Sequence, residues 1–222
     1  MIFRKIGIFT DGSMKSRNVT GETGGYAYAI VDYSEVLERL THASLPTLDS
    51  LVRESKQNKK KLFPTRSVVG RLLLREGQPF EEEKESTVQV LAQVDFRIGK
   101  LSREVADQIK DTTNNRMELL AVLEAIRYLV GKEQAAFIFT DSTYVQKGIT
   151  EWMFGWRKYK WTTTSGKPVK NVDIWKKVIE EWEKIEHNCR IKHIKGHSNV
   201  YWNEYVDDLS RTVAHREEEF AL

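Results

Sequence analysis

A single cysteine, Cys189, stands among 222 residues. One thiol cannot close an intramolecular disulfide, and it cannot build a metal site that needs several thiolates. Such scarcity fits a reducing compartment, and a cytoplasmic location is expected. The chain also lacks any apolar run near the roughly 20 residues that a membrane-spanning helix needs. Residues 1–10 have neither the long apolar stretch nor the small-residue cleavage site of a secretory leader. Met1 directly precedes the first predicted strand, so a free-standing protein is expected. Net charge is only +3; its local distribution says more about partners than its sum. What the chain does have is 40% hydrophobic and 30% charged residues. That suffices to bury a core and excludes wholesale disorder. One domain over residues 1–222 is expected at this length.

Residues 2–10 (IFRKIGIFT) are rich in Ile and Phe and stop at Asp11-Gly12, as a strand does. Gly24-Gly25 opens a second strand, YAYAIVDY. Residues 87–98 (TVQVLAQVDFRI) alternate and read as a third, whereas 99–113 are polar with room for a short helix. Residues 114–130 place Leu119, Val122, Leu123, Ile126 and Leu129 at helical spacing, and Gly131 ends the run. Residues 135–140 (AAFIFT) read as a buried strand and 142–149 as a short helix. Residues 171–186 form a helix with Trp175 and Trp182 inward, followed by a strand over 190–194 and a helix over 203–219. No internal repeat is found. The order predicts an α/β fold with a five-stranded mixed sheet and helices on both faces. Residues 35–86 carry few large apolar side chains, a Lys59–Lys61 run and an acidic block from Glu81 to Glu85; they read as an insertion.

Four acids fall where such a fold could gather them. Asp11 closes the first strand, although Asp-Gly equally suits a tight turn. Asp141 follows FIFT and equally suits a helix N-cap. If their strands are adjacent and parallel, both lie outside strand carboxyl ends, where open α/β sheets bind ligands. Glu118 shares a helical stripe with Val122, Ala125 and Leu129. A lone ionised acid on a packing face is costly unless paired or bound to a cation. Asp207, beside Val206, reads alone as a surface acid. Oxygen donors without thiols or a histidine cluster favour a hard cation, Mg²⁺ or Mn²⁺. Shared carboxylates can hold two ions about 4 Å apart for in-line phosphoryl displacement. Residues 151–177 interleave Arg157, Lys158, Lys160, Lys167 and Lys170 with Trp152, Trp156, Tyr159, Trp161 and Trp175. That mixture suits phosphates and the faces of sugars and bases. Together these features point to a nuclease.

The strings IFTDGS (8–13), GGYAYAIV (24–31), TTNNRMELLAVLEAI (112–126), FTDSTYVQKGITEW (139–152), KPVKNVDIW (167–175) and IKGHSNVYWNEYVDDLSR (194–211) carry a resemblance. In content and order they resemble a bacterial-type, type 1 ribonuclease H, over roughly two thirds of the chain. The resemblance implies the ribonuclease H-like fold and endonucleolytic hydrolysis of the RNA strand of RNA–DNA hybrids, leaving 5′-phosphate and 3′-hydroxyl ends. It implies metal-binding carboxylates at Asp11, Glu118, Asp141 and Asp207, holding two Mg²⁺ ions with Mn²⁺ as a substitute. Asp207 is preferred to Asp208 because the N-E-x-x-D spacing begins at Asn203. His197, in KGHS, matches an auxiliary catalytic histidine. Asn114 and Asn115 match residues that read the minor groove, although helix capping is the plainer role of Asn114. Thr113 and Asn171 match positions that hold a DNA phosphate. Trp152, Trp156, Lys158 and Trp161 fall in a basic protrusion, residues 151–170, that grips the DNA strand; Lys170 is grouped with these contacts. No protein partner is implied and a monomer is expected.

The rivals are a metal nuclease or strand transferase of similar fold acting on structured DNA, a non-catalytic hybrid-binding module, and a domain cut from a reverse transcriptase. The NNRME helix and the tryptophan-rich segment speak against the first, and the full set of four carboxylates against the second. The sequence departs from the family in a longer loop after Asp11 (residues 14–23), in the 35–86 insertion, and at 99–111. If the Lys59–Lys61 run extends the hybrid-binding surface, neutralising those three lysines flattens the salt dependence of hybrid binding. Filter binding over a salt series measures it, and an unchanged slope discards the idea.

Overall fold

The computed structural model describes residues 6–15, 23–34, 100–133, 136–197 and 200–216. Five strands form one mixed sheet: β1 (Ile6–Met14), β2 (Gly24–Asp32), β3 (Lys100–Ile109), β4 (Ala136–Thr140) and β5 (Cys189–His193). Their spatial order is β3-β2-β1-β4-β5. β1 pairs antiparallel with β2, as β2 does with β3, whereas β1–β4 and β4–β5 are parallel. Parallel neighbours need long crossovers, which helices supply. The helices are α1 (Asn114–Leu129), α2 (Thr143–Lys147), α3 (Met153–Lys158), α4 (Val172–Ile185) and α5 (Tyr201–Ala214), with a π-helical turn at Gly148–Trp152 between α2 and α3. No helix among the described residues is long and apolar enough to cross a membrane.

Strand alternation assigns the faces. Ile6, Ile8, Tyr28, Ile30, Ile138 and Ile191 share one core with α1 and α4. Phe9, Ala27, Ala29, Val31, Phe137 and Phe139 share the other with Trp202 and Val206 of α5. Leu119, Val122, Leu123 and Ile126 of α1 are each at most 1% exposed. Burying a side chain of this kind contributes about 1.5–3 kcal/mol relative to leaving it in water.

The third strand is not where the sequence pattern puts it. Residues 100–109, read as part of a polar stretch with a short helix, form β3 on the sheet edge. An antiparallel edge strand half open to water accepts a polar sequence such as KLSREVADQI, so hydrophobic alternation does not reveal it. The alternating run at 87–98 lies outside the described residues. So do the 35–86 insertion with its lysine run, and residues 16–22 of the loop after β1. β1 itself runs past Asp11 to Met14. Gly131 follows α1 at φ +78°, the left-handed conformation expected of a residue that ends a helix.

Two glycines let helices close on the sheet from opposite sides. A Cβ at Gly12 would lie 2.1 Å from the backbone nitrogen of Glu118, and one at Gly25 would lie 2.1 Å from the carbonyl oxygen of Ser210. Gly12→Ala therefore pushes against helix backbone, which cannot swing aside as a side chain tip can. Overpacking costs about 1–3 kcal/mol and occasionally more; urea unfolding should place this variant at or above about 3 kcal/mol. A negligible loss would mean that α1 does not seat on β1 at this point.

Candidate active site

β1 and β4 reach the site with the same tetrapeptide, IFTD, at 8–11 and 138–141. The parallel register sets Ile8 beside Ile138, Phe9 beside Phe139 and Thr10 beside Thr140. The two phenylalanine rings stack at 4.9 Å, and the Thr10 hydroxyl donates to the Phe139 carbonyl at 3.0 Å. Asp11 and Asp141 therefore follow at matching places on adjacent parallel strands, as the sequence argument required, but Asp11 lies within β1 and does not end it. The shared tetrapeptide is too short to count as a repeat, yet it signals the pairing.

Asp11 is 7% exposed and accepts a 2.6 Å hydrogen bond at Oδ2 from the Ser210 hydroxyl of α5. Burial, partly offset by that bond, pushes its carboxyl up to about 8, and the charges of Asp141, Asp207 and Glu118 add to the rise. Glu118 projects from α1 between two donors: Asn114 Nδ2 reaches Oε1 at 2.7 Å and the Ser142 hydroxyl reaches Oε2. Burial raises its carboxyl to about 7, those two bonds opposing and Asp141 reinforcing the shift. Asp141 is also raised, by burial first; a hydrogen bond from the Asn203 side chain opposes the rise and Asp207 adds to it. Gly196 lies so close that a Cβ there would sit 2.7 Å from Asp141 Oδ2. Asp207 pairs with Arg211 one helical turn on. The charges of Asp141, Asp207 and Glu118 all reach Asp11, although among the described residues the ligand atoms that lie within 4.8 Å of one another join Asp207 to His197 and Glu204 rather than to the other three acids. A half-dry cluster of self-repelling carboxylate oxygens fits a hard divalent cation, whose charge turns the repulsion into attraction.

His197 is exposed, with a left-handed φ of +50°. Its Nδ1 lies 3.7 Å from Glu204 Oε2. One ligand atom each from His197, Glu204 and Asp207 lie within 4.8 Å of one another. The histidine therefore borders the acid cluster. Sequence reasoning missed Ser142, Asn203, Glu204, Ser210 and Arg211. Ser142, next to Asp141, and Asn203 and Glu204, inside N-E-x-x-D, had a signal in their neighbours. Ser210 had none, because its partner is 199 residues away.

Thr113, Asn114 and Asn115 meet Lys170 and Asn171 around an open cleft of about 460 Å³. Arg116 ties α1 to α4 beside it, donating to both oxygens of Asp173 at 2.9 and 2.7 Å. Asn171 holds a left-handed φ of +56° before α4, and its Nδ2 donates to the Tyr144 hydroxyl at 3.3 Å. The same hydroxyl receives Trp175 Nε1 at 2.7 Å. Asn114 does not cap α1: Thr113 occupies the cap position, and the Asn114 amide is committed to Glu118.

The segment 151–170, expected to grip the DNA strand, starts within the π-helical turn Gly148–Trp152. A Cβ at Gly148 would lie 2.0 Å from the Trp175 ring, so only glycine lets the chain pass there. Trp152 and Trp156 pack at 5.6 Å, and Trp156 meets Trp175 edge-on at 5.3 Å. Trp152 and Trp156 line a groove of about 940 Å³ with Glu151, Gly155, Tyr159 and Thr162 to Thr164. Lys158 is exposed, its Nζ 5.8 Å from the centre of the Tyr159 ring. Trp161 is not among the lining residues; it packs partly buried against the core.

A family model described as RNase H matches residues 80–215. The ribonuclease H of Hahella chejuensis is 46% identical over 112 residues, 50% of this chain and 74% of that protein. That of Agrobacterium fabrum is 42% identical over 116 residues, 52% of this chain and 77% of that protein. A foamy viral protease-reverse transcriptase, solved in complex with an RNA/DNA hybrid, superposes with a TM-score of 0.60 at 14% identity. That superposition covers 96% of this chain and 20% of the viral one, a likeness of fold. Asp11 lies outside residues 80–215, so it is the geometry that joins it to the other acids.

Without a divalent ion, this cluster makes stability depend on pH. A carboxyl at about 8 in the folded chain keeps a proton that the unfolded chain releases near pH 4. Its stabilising contribution is complete below about pH 4 and is lost as pH rises through about 8. Glu118, raised to about 7, acts in the same direction. In chelator, Asp11→Asn should melt above wild type at pH 8, and the gap should close toward pH 4. Thermal unfolding across that range checks the sign; a wild type that melts higher at pH 8 contradicts it.

Proposed function

The chain belongs to the RNase H family, and on that premise we propose that it cuts the RNA strand of RNA–DNA hybrids endonucleolytically, leaving 5′-phosphate and 3′-hydroxyl ends. The observation that carries this reading is the convergence of Asp11, Glu118, Asp141 and Asp207 from two strands and two helices. The family depends on divalent metal. Here Asp11, Glu118, Asp141 and Asp207 would hold two Mg²⁺ ions, with Mn²⁺ as a substitute. Such a pair, when bound, supplies an activated water and countercharge for the leaving 3′-oxygen.

The chain's own residues do the positioning. Asn114 and Ser142 hold Glu118, Asn203 holds Asp141, and Arg211 holds Asp207. His197, exposed beside Glu204 and Asp207, moves a proton at the departing oxygen as general acid or base. In the cleft, Thr113, Lys170 and Asn171 receive a phosphate of the DNA strand. Asn114 and Asn115 offer amides, which both donate and accept, to the wide minor groove and its 2′-hydroxyls. Trp152 and Trp156 present ring faces to the DNA sugars, Trp161 packs partly buried against the core, and Lys158 adds charge near the phosphates. A protein of the same fold has been solved on an RNA/DNA hybrid, which supports this substrate. A monomer in the reducing cytoplasm is the setting proposed.

The test is a labelled hybrid incubated with protein and Mg²⁺, beside single- and double-stranded RNA and DNA. Only the hybrid should be cut. Asp141→Asn should lose more than about a hundredfold in rate, since losing even an outer-shell partner can cost that much. His197→Ala should be slowed about a hundredfold but not abolished. An Asp141→Asn variant as fast as wild type would show the metal assignment to be wrong.

A further inference from the structure

Ser210 is the buried polar residue whose purpose the sequence does not announce. It lies on α5, three residues after Asp207, and is 0% exposed. Its hydroxyl is 2.6 Å from Asp11 Oδ2 and 3.0 Å from the carbonyl oxygen of Asp207. Among the described residues it is the one side chain that hydrogen-bonds the Asp11 carboxyl. A bond to an ionised carboxylate is about twice as strong as one between neutral groups, so the single hydroxyl proton goes to Asp11 when that acid is charged.

The fold is built to bring this hydroxyl into place. Gly25 of β2 pairs with Ser13, and Asp11 pairs with Ala27, so these positions share the sheet face that α5 covers. A Cβ at Gly25 would lie 2.1 Å from the Ser210 carbonyl oxygen and 2.7 Å from the Ala214 nitrogen. The glycine therefore sets how closely the Ser210 turn approaches β1. An alanine at 210 would favour the helix more than serine does, so what serine adds there is the hydroxyl.

We propose, on the reading of the preceding section, that Ser210 is a positioning residue of the cation site. Its hydroxyl fixes Asp11 Oδ2 toward α5 and leaves Oδ1 for the ion. Because Ser210 lies on α5 three residues after Asp207, its bond to Asp11 ties the helix that carries the fourth acid to the strand that carries the first. Ser210 touches no reacting atom and acts only through Asp11.

The experiment is calorimetric titration of the full chain with MgCl₂ alone, without nucleic acid. Ser210→Ala should weaken Mg²⁺ binding about 10- to 100-fold, the usual loss for an outer-shell partner. Ser210→Cys, similar in size but a weak donor, should fall between alanine and wild type. At saturating Mg²⁺ the KM for hybrid should not change. Mg²⁺ affinity equal in wild type and both variants, while Asp11→Asn still abolishes it, overturns the role of Ser210 and leaves the nuclease reading intact. A variant that melts lower yet binds Mg²⁺ as wild type does also overturns it, because the serine is then merely structural. A wild-type chain that neither binds Mg²⁺ nor cuts hybrid overturns both readings. Should alanine unfold the chain, the cysteine variant decides alone: weaker binding supports the role, and unchanged binding ends it.

Discussion

Carboxyl groups gathered away from water, where ionising them is costly, are the constraint that the rest of this structure serves. Asp11, Glu118 and Asp141 are all raised above the ordinary carboxylate range by burial first; a hydrogen bond opposes the rise in each, and a neighbouring acid adds to it, Asp141 for both Asp11 and Glu118, and Asp207 for Asp141. For Asp11 the rise to about 8 means that the ionised form is disfavoured by several kcal/mol, at about 1.4 kcal/mol per unit. Something must prevent the cluster from relaxing by spreading apart. Backbone does this: α1 is seated against β1 at Gly12, and α5 against β2 at Gly25, with no room for a Cβ at either contact. The two hydrophobic cores behind these contacts supply the stability that the acids consume. A ligand that binds only the folded state and relieves the repulsion would return that stability as binding free energy.

α1 also gears the acids to the surface where substrate is proposed to lie. Its first residues, with Thr113 before them, line the cleft opposite Lys170 and Asn171. One turn later Glu118 reaches the acid cluster. Asn114 belongs to both, since it lines the cleft while its amide holds Glu118. The Arg116–Asp173 bridge fixes the cleft's other wall to the same helix. A phosphate seated there is thus placed relative to the carboxylates through one rigid helix rather than through a loop. Rigid support of this kind is what converts binding into a productive geometry.

How much of this was legible in the sequence depended on whether each signal was local. Glu118 could be read because a lone acid on an apolar stripe is physically anomalous, and the structure puts it between two donors in the cluster. Asp141 could be read as a strand-end acid; Asp11, expected at a strand end, lies inside β1, and their adjacency needed only that β1 and β4 be parallel neighbours. β3 was misplaced because an edge strand obeys hydrogen bonding more than hydrophobic alternation, and its residues 100–109 are mostly polar. Residue type alone suggests capping for Asn114, but the helix starts one residue earlier, with Thr113 at the cap position, and the Asn114 amide instead donates to Glu118. Ser210 was invisible because nothing local distinguishes a helical serine facing solvent from one facing a carboxylate across the sheet. The family match over 80–215 likewise leaves out Asp11; only the sheet restores it to the group.

The partners around the acids differ in charge between the interior and the rim. Asp11 is held by a serine hydroxyl, and Glu118 by a serine hydroxyl and an amide. These donors orient a carboxylate without discharging it. An ammonium or guanidinium at the same places would stabilise the charged acids far more, because ionic hydrogen bonds are the stronger ones. It would also occupy the negative field that a divalent cation needs. The guanidinium that does pair here, Arg211, engages Asp207, which unlike Asp11 is not counted among the buried polar residues. Neutral donors inside, with the cation toward the rim, keep the interior carboxylates oriented and unneutralised. That is the arrangement a site must have if its missing countercharge is to come from an ion.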